Sequence, residues 1–140
     1  MKKIISLIVI LFVVVLLSGC SSSNSGTIIC KSEARGNNPV ITSYEEYVVE
    51  NNKVVEFSKY NILDFDEEYL KRTSIDNVLE IYRSDESFKV EKVDSNTIKN
   101  IYVDPKNYYE NMESDDMIET IRASLEDNEL SLFKYTCEIK

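Results

Sequence analysis

The chain has 140 residues, with 16 Lys and Arg against 25 Asp and Glu, a formal charge of -9, and neither His nor Trp. One compact domain fits that length and two do not. The lack of His excludes a Ser-His-Asp triad, His-based acid–base catalysis and a Cys₂His₂ zinc site. Beyond residue 20 the only glycines are Gly26 and Gly36, so neither a dinucleotide-binding fingerprint nor a P-loop can be written. The acidic balance argues against nucleic acid as a partner, because phosphates require a basic surface.

Met1-Lys2-Lys3 is a short positive start, and Ile4 to Leu17 follows as an apolar run broken only by Ser6. That run is shorter than the ~20 residues of a spanning helix, and the pattern is that of an export signal. It closes on Leu17-Ser18-Gly19-Cys20, which resembles the lipobox of bacterial lipoproteins. The resemblance implies cleavage before Cys20 and a diacylglyceryl group on the Cys20 thiol. The plain alternative is an uncleaved N-terminal anchor helix with an incidental cysteine. Two or more acyl chains, at ~0.8 kcal/mol per buried CH₂, hold a protein on a bilayer. The expected location is therefore the extracytoplasmic face of the cell membrane. Losing Lys2 and Lys3 from a balance of 16 against 25 takes the mature chain to -11.

Residues 1–19 are thus read as signal peptide, 20–26 as a lipidated cysteine with a Ser-rich tether, and 27–140 as one domain. A tether of this composition spans ~13–15 Å as a flexible coil. Thr27 to Arg35 puts Ile28, Cys30, Ser32 and Ala34 on one side of a first strand, and Gly36-Asn37-Asn38-Pro39 reads as a turn. Tyr44 to Glu50 and Lys53 to Leu63 form a hairpin about Asn51-Asn52, since Asn tolerates positive φ. Tyr47 and Val49 share one parity in the first arm, and Val55, Phe57 and Leu63 share one in the second. From Asp64 the period becomes helical, with Glu67 in a capping arrangement and Leu70, Ser74, Val78 and Ile81 as the stripe up to Ser84.

Phe88, Val90 and Val93 return to strand character, Asp94-Ser95-Asn96 turns the chain, and Thr97 to Val103 answers until Asp104-Pro105 breaks the ladder. Ser114 with Asp115 and Asp116 opens a helix with the stripe Met117, Ile118, Ile121 and Leu125, ending at Asn128. Phe133, Tyr135, Cys137 and Ile139 alternate in a closing strand. The expectation is an α+β fold, order β-β-β-α-β-β-α-β, with one antiparallel sheet and two helices on one face. In element order, and at Tyr47, Val48, Lys53 and Val54, the domain is similar to small YehR-like lipoproteins of unknown function. That similarity carries over no catalytic residue.

Once Cys20 is acylated, Cys30 and Cys137 are the two remaining thiols of an exported chain, on apolar faces of the first and last strands. A disulfide between them is expected, with two buried free thiols as the alternative. The acidic groups Asp64, Asp66, Glu67, Glu68 and Glu113, Asp115, Asp116 fall at helix starts, where the macrodipole favours them. A cation site is the other reading of these acids, although no EF-hand loop is present. Neither metal nor cofactor is expected. A carboxylate-pair glycosidase is the one enzyme class left open. Of the nine tyrosines, five are assigned to packing (Tyr47, Tyr60, Tyr69, Tyr82, Tyr135) and three, Tyr102, Tyr108 and Tyr109 beside the Asp104-Pro105 break, to a candidate contact patch. The function expected is a monomeric, non-enzymatic binding or accessory lipoprotein of the envelope. The alternative is an anionic sequestrant of a cationic partner such as a lysozyme or antimicrobial peptide.

Overall fold

A computed structural model of the chain describes residues 24–34, 38–127 and 134–140. The expectations for the signal, for Cys20, for Gly36 and Asn37 of the turn, for Asn128 and for Phe133 lie outside these residues. Six strands, β1 (Gly26–Ala34), β2 (Val40–Glu50), β3 (Lys53–Asp64), β4 (Phe88–Lys92), β5 (Thr97–Tyr102) and β6 (Tyr135–Ile139), form one antiparallel sheet in the order β4-β5-β3-β2-β1-β6. Among the described residues three helices, α1 (Glu67–Leu70), α2 (Ile75–Arg83) and α3 (Met117–Glu126), complete the α+β fold. No helix among the described residues is long and apolar enough to cross a membrane.

The β2–β3 hairpin turns at Asn51 and Asn52 with φ of 51° and 63°, which a two-residue turn of the twisted hairpin type requires. The register slips between Val48 and Val49, where Val49 opposes Val54. A bulge of this kind inserts one residue and reverses side-chain parity beyond it. Val54 is consequently buried and Val55, expected on the apolar face with Phe57, is 56% exposed.

The expected single helix after Asp64 is two helices. Asp64 closes β3, and Asp66 caps α1 by accepting from the Tyr69 amide at 2.7 Å. Ser74 is not a stripe residue: its extended backbone and its Oγ, which accepts from the Asn77 amide at 3.2 Å, make it the N-cap of α2. Ser competes with helix interiors for backbone hydrogen bonds, which favours it at a start. The phase set by that cap buries Ile75, Val78 and Leu79 and leaves Ile81, expected inward, at the surface. In α3 the expected stripe holds: Met117, Ile118 and Ile121 are buried, Leu125 packs beside them, and Asp116 is the cap.

The folded body starts earlier than the expected Thr27. Gly26 already pairs with Val49, and the Asn24 amide donates to Asn52 Oδ1 at 3.0 Å while the Asn52 amide donates back to the Asn24 carbonyl at 3.1 Å. Asn24 also binds Asp116, and Ser25 Oγ accepts from the Asn51 amide at 3.1 Å.

Both apolar clusters lie on one face of the sheet. Ile28, Tyr47, Val49 and Val54 pack with α3 and Tyr109; Leu63, Val90 and Ile98 pack with α2 and Phe65. Cys30 and Cys137 oppose each other in the β1–β6 register and are joined, with Sγ atoms at 2.02 Å.

Candidate functional site

Cross-strand register arranges the helix-side face in rows. Ile28, Tyr47 and Phe57 make an apolar row under α3, and Ile41, Leu63 and Ile98 make another toward α2. Between them run a polar row and a mixed row that is polar only in β2 and β3. One aligns Tyr135, Ser32, Ser43, Asn61 and Asn100 across five strands, and the other aligns Cys137, Cys30, Glu45 and Lys59. Directly opposed side chains share a face and touch, so these rows form a continuous polar belt dividing the two apolar clusters.

Glu45 is the centre of the belt. One carboxylate oxygen accepts from the Tyr47 hydroxyl at 2.6 Å, and the other accepts from Lys59 Nζ at 2.7 Å and from the Tyr135 hydroxyl at 3.4 Å. Glu45 is only 8% exposed, so three donors replace the water it has lost. Burial pushes the Tyr47 phenol far above its ordinary range, and the bond to Glu45 pushes it further. Burial would lower Lys59, but the hydrogen bond and charge of Glu45 outweigh it and raise the ammonium above its ordinary value. Burial likewise raises Tyr135. Through neutral pH the Lys59 ammonium, paired with Glu45, and the neutral phenols of Tyr47 and Tyr135 are thus held in fixed positions about one carboxylate. Further along, Asn61 Nδ2 donates to the Tyr102 hydroxyl at 3.3 Å, and Lys59 Nζ lies 5.7 Å from the Tyr102 ring centre.

The opposite face of the sheet has no layer of described residues over it. A row runs across it through Thr136, Lys31, Tyr44, Tyr60, Ile101 and Lys89. Tyr44 and Tyr60 stack with ring centres 4.9 Å apart, and Lys99 Nζ sits 4.1 Å from the Tyr60 ring centre. Beside them Ile29, Lys31, Thr136, Glu138 and Lys140 complete a shallow depression of about 260 Å³. Tyr60 is half-buried here and was expected in the packing.

The three tyrosines expected to form a contact patch do not come together. Tyr109 is 7% exposed and meets the Tyr47 ring edge-on at 5.5 Å. Tyr102 is half-buried, faces Phe88 at 4.7 Å and joins the belt. Tyr108 alone points outward, 74% exposed, with Lys106 over its ring. The break at Asp104, with φ of 50°, ends the ladder as expected, but the returning chain drives Tyr109 into the core.

Sequence reasoning missed Glu45, Lys59, Asn61, Asn100 and Tyr44. The signal was present: Glu45 stands between Ser43 and Tyr47 at core parity, and Lys59 and Asn61 stand between Phe57 and Leu63. Polar residues at core parity in adjacent strands mark a belt once the strands are paired.

Comparison of the chain with protein-family models, with curated proteins and with solved structures finds no match.

Proposed function

We propose that the chain is a membrane-anchored extracytoplasmic lipoprotein that acts as a non-enzymatic binding or accessory protein of the cell envelope, engaging a protein partner through the uncovered sheet face. The observation that carries this reading is the Tyr44–Tyr60 stack in a shallow depression on a face that no described residues cover. Stacked tyrosines offer large apolar area with polar tips, and two torsions per ring make them inexpensive to immobilise. The lipobox-like Leu17-Ser18-Gly19-Cys20 supports the anchor.

The test is capture from native envelope with the full chain in detergent, comparing wild type with a Tyr44→Ser/Tyr60→Ser double variant. The reading requires partners enriched by wild type to be lost from the double variant. An identical set of captured proteins would contradict it.

A further inference from the structure

The chain is pinned where it enters the sheet. The Asn24 amide donates to Asn52 Oδ1 at 3.0 Å, the Asn52 amide donates to the Asn24 carbonyl at 3.1 Å, and the Asn51 amide donates to Ser25 Oγ at 3.1 Å. Asn24 Nδ2 also donates to Asp116 at the start of α3. Residue 24 is thereby fixed to the β2–β3 turn, and only the step from Cys20 to Asn24 is left as tether. That step reaches at most ~14 Å when fully extended. β2 runs from Val40 to Glu50, ~34 Å at the rise of a strand, so the turn and Val40 mark opposite ends of the domain.

Exposed apolar groups gather at the turn end. The bulge that turns Val54 inward leaves Val55 exposed, two residues from Lys53. Lys53 Nζ meets Glu113 at 2.6 Å, which brings the segment 108–112 to the same end, where Tyr108 and Met112 are exposed. Lys106 Nζ lies 4.9 Å from the Tyr108 ring centre. A tyrosine with a lysine over it, beside aliphatic side chains, suits a lipid headgroup boundary, because the ring takes the apolar side while the ammonium stays in water.

We propose that this end of the domain, through Val55, Tyr108 and Met112, rests on the headgroup surface of the bilayer. The contact depends on the lipid anchor proposed for Cys20. Its character is apolar and not ionic: Lys53 is already paired, and Glu110 and Asp115 nearby resist an anionic surface. The strands then stand away from the membrane. Tyr44 and Tyr60 lie ~24 Å from the turn along the strand, clear of lipid and within reach of a partner held in the same bilayer.

The chain has no Trp, so a single introduced Trp reports its own surroundings. Met112→Trp and Val55→Trp probe the near end and Val40→Trp the far end. Each full chain is purified from the membranes of a host that processes lipoproteins and reconstituted in phosphatidylcholine vesicles, with a nitroxide on a fraction of the headgroups. The proposal requires quenching several-fold stronger at positions 112 and 55 than at position 40. Tyr108→Asp, added to either near-end chain, must also weaken its quenching, because a carboxylate resists leaving water. Equal quenching at the two ends, stronger quenching at position 40, no quenching at all, or near-end quenching untouched by Tyr108→Asp would overturn it. Flotation with the vesicles reads the anchor separately. A chain that floats and gives one of those results defeats this contact alone, whereas a chain that does not float defeats the anchor and the contact together.

Discussion

Glu45 and Lys59 oppose each other across β2 and β3 and meet at 2.7 Å on the side of the sheet that the helices cover. Tyr47 and Phe57 lie beside the pair on one side and the polar Ser43 and Asn61 on the other, with the second apolar cluster beyond them. Breaking it unevenly is more damaging than removing it whole, because a lone buried charge keeps its full desolvation cost. Glu45→Ala strands Lys59 and the Tyr47 hydroxyl, and should destabilise by about 2–3 kcal/mol after allowance for the partial exposure of Lys59. Glu45→Leu/Lys59→Met should recover at least half of that loss. Urea titrations of the three proteins decide it; a double variant no more stable than the single would show that the pair does not act as a unit.

Alkaline pH should unfold the protein early. Burial raises the phenols of Tyr47, Tyr60, Tyr82 and Tyr135, and Glu45 raises Lys59. Each group then holds its proton in the folded state after the unfolded chain has lost it. Stability is whole below the ordinary phenol value of 10.0 and falls as pH rises past it. Denaturation midpoints measured between neutrality and strong alkali should drop above that value, less so in Tyr47→Phe. A flat profile would contradict the buried position of these hydroxyls.

The Cys30–Cys137 bridge closes 107 residues of sequence. On the chain-entropy model a loop of that size stabilises by up to ~4.7 kcal/mol. Cys30→Ala/Cys137→Ala should therefore melt well below the oxidised protein, and reductant should shift the wild type alone. Coincident melting curves would mean that β6 is held by pairing without the bridge.

Much of the sheet was legible because its devices are local. Asn51-Asn52 announces the hairpin by the positive φ that Asn tolerates, and the strict alternation of Tyr135, Cys137 and Ile139 announces β6. The helical region after Asp64 was not legible in full, since Leu70, Ser74, Val78 and Ile81 fit a helical spacing whether or not Ser74 is a cap. Parity in β3 failed for a different reason: the bulge opposite Val48 and Val49 is a property of two strands together and leaves no mark on one. The belt was hidden in the same way, as its members are far apart until register aligns them. Tyr109 shows the limit for loops, where the path after Asp104 decides whether a ring meets solvent or Tyr47.

The hairpin itself is open to test. Replacing Asn51 and Asn52 by Val forces β-branched side chains into positive φ, at a cost of ~1–3 kcal/mol each. Asn52→Gly should be nearly neutral by comparison. Equal loss in both variants would argue that the Asn52 side-chain oxygen, which accepts from the Asn24 amide, and not the backbone conformation, holds the turn.

The central claim is that a partner docks on the open face of an anchored protein. A photo-crosslinking amino acid placed at Tyr60, in cells, measures this directly, with Ile81 on the exposed side of α2 as the comparison position. The account predicts a discrete higher-mass adduct from position 60 in the membrane fraction and none from position 81. Adducts from position 81 alone, or a protein recovered outside the membrane fraction, would contradict it.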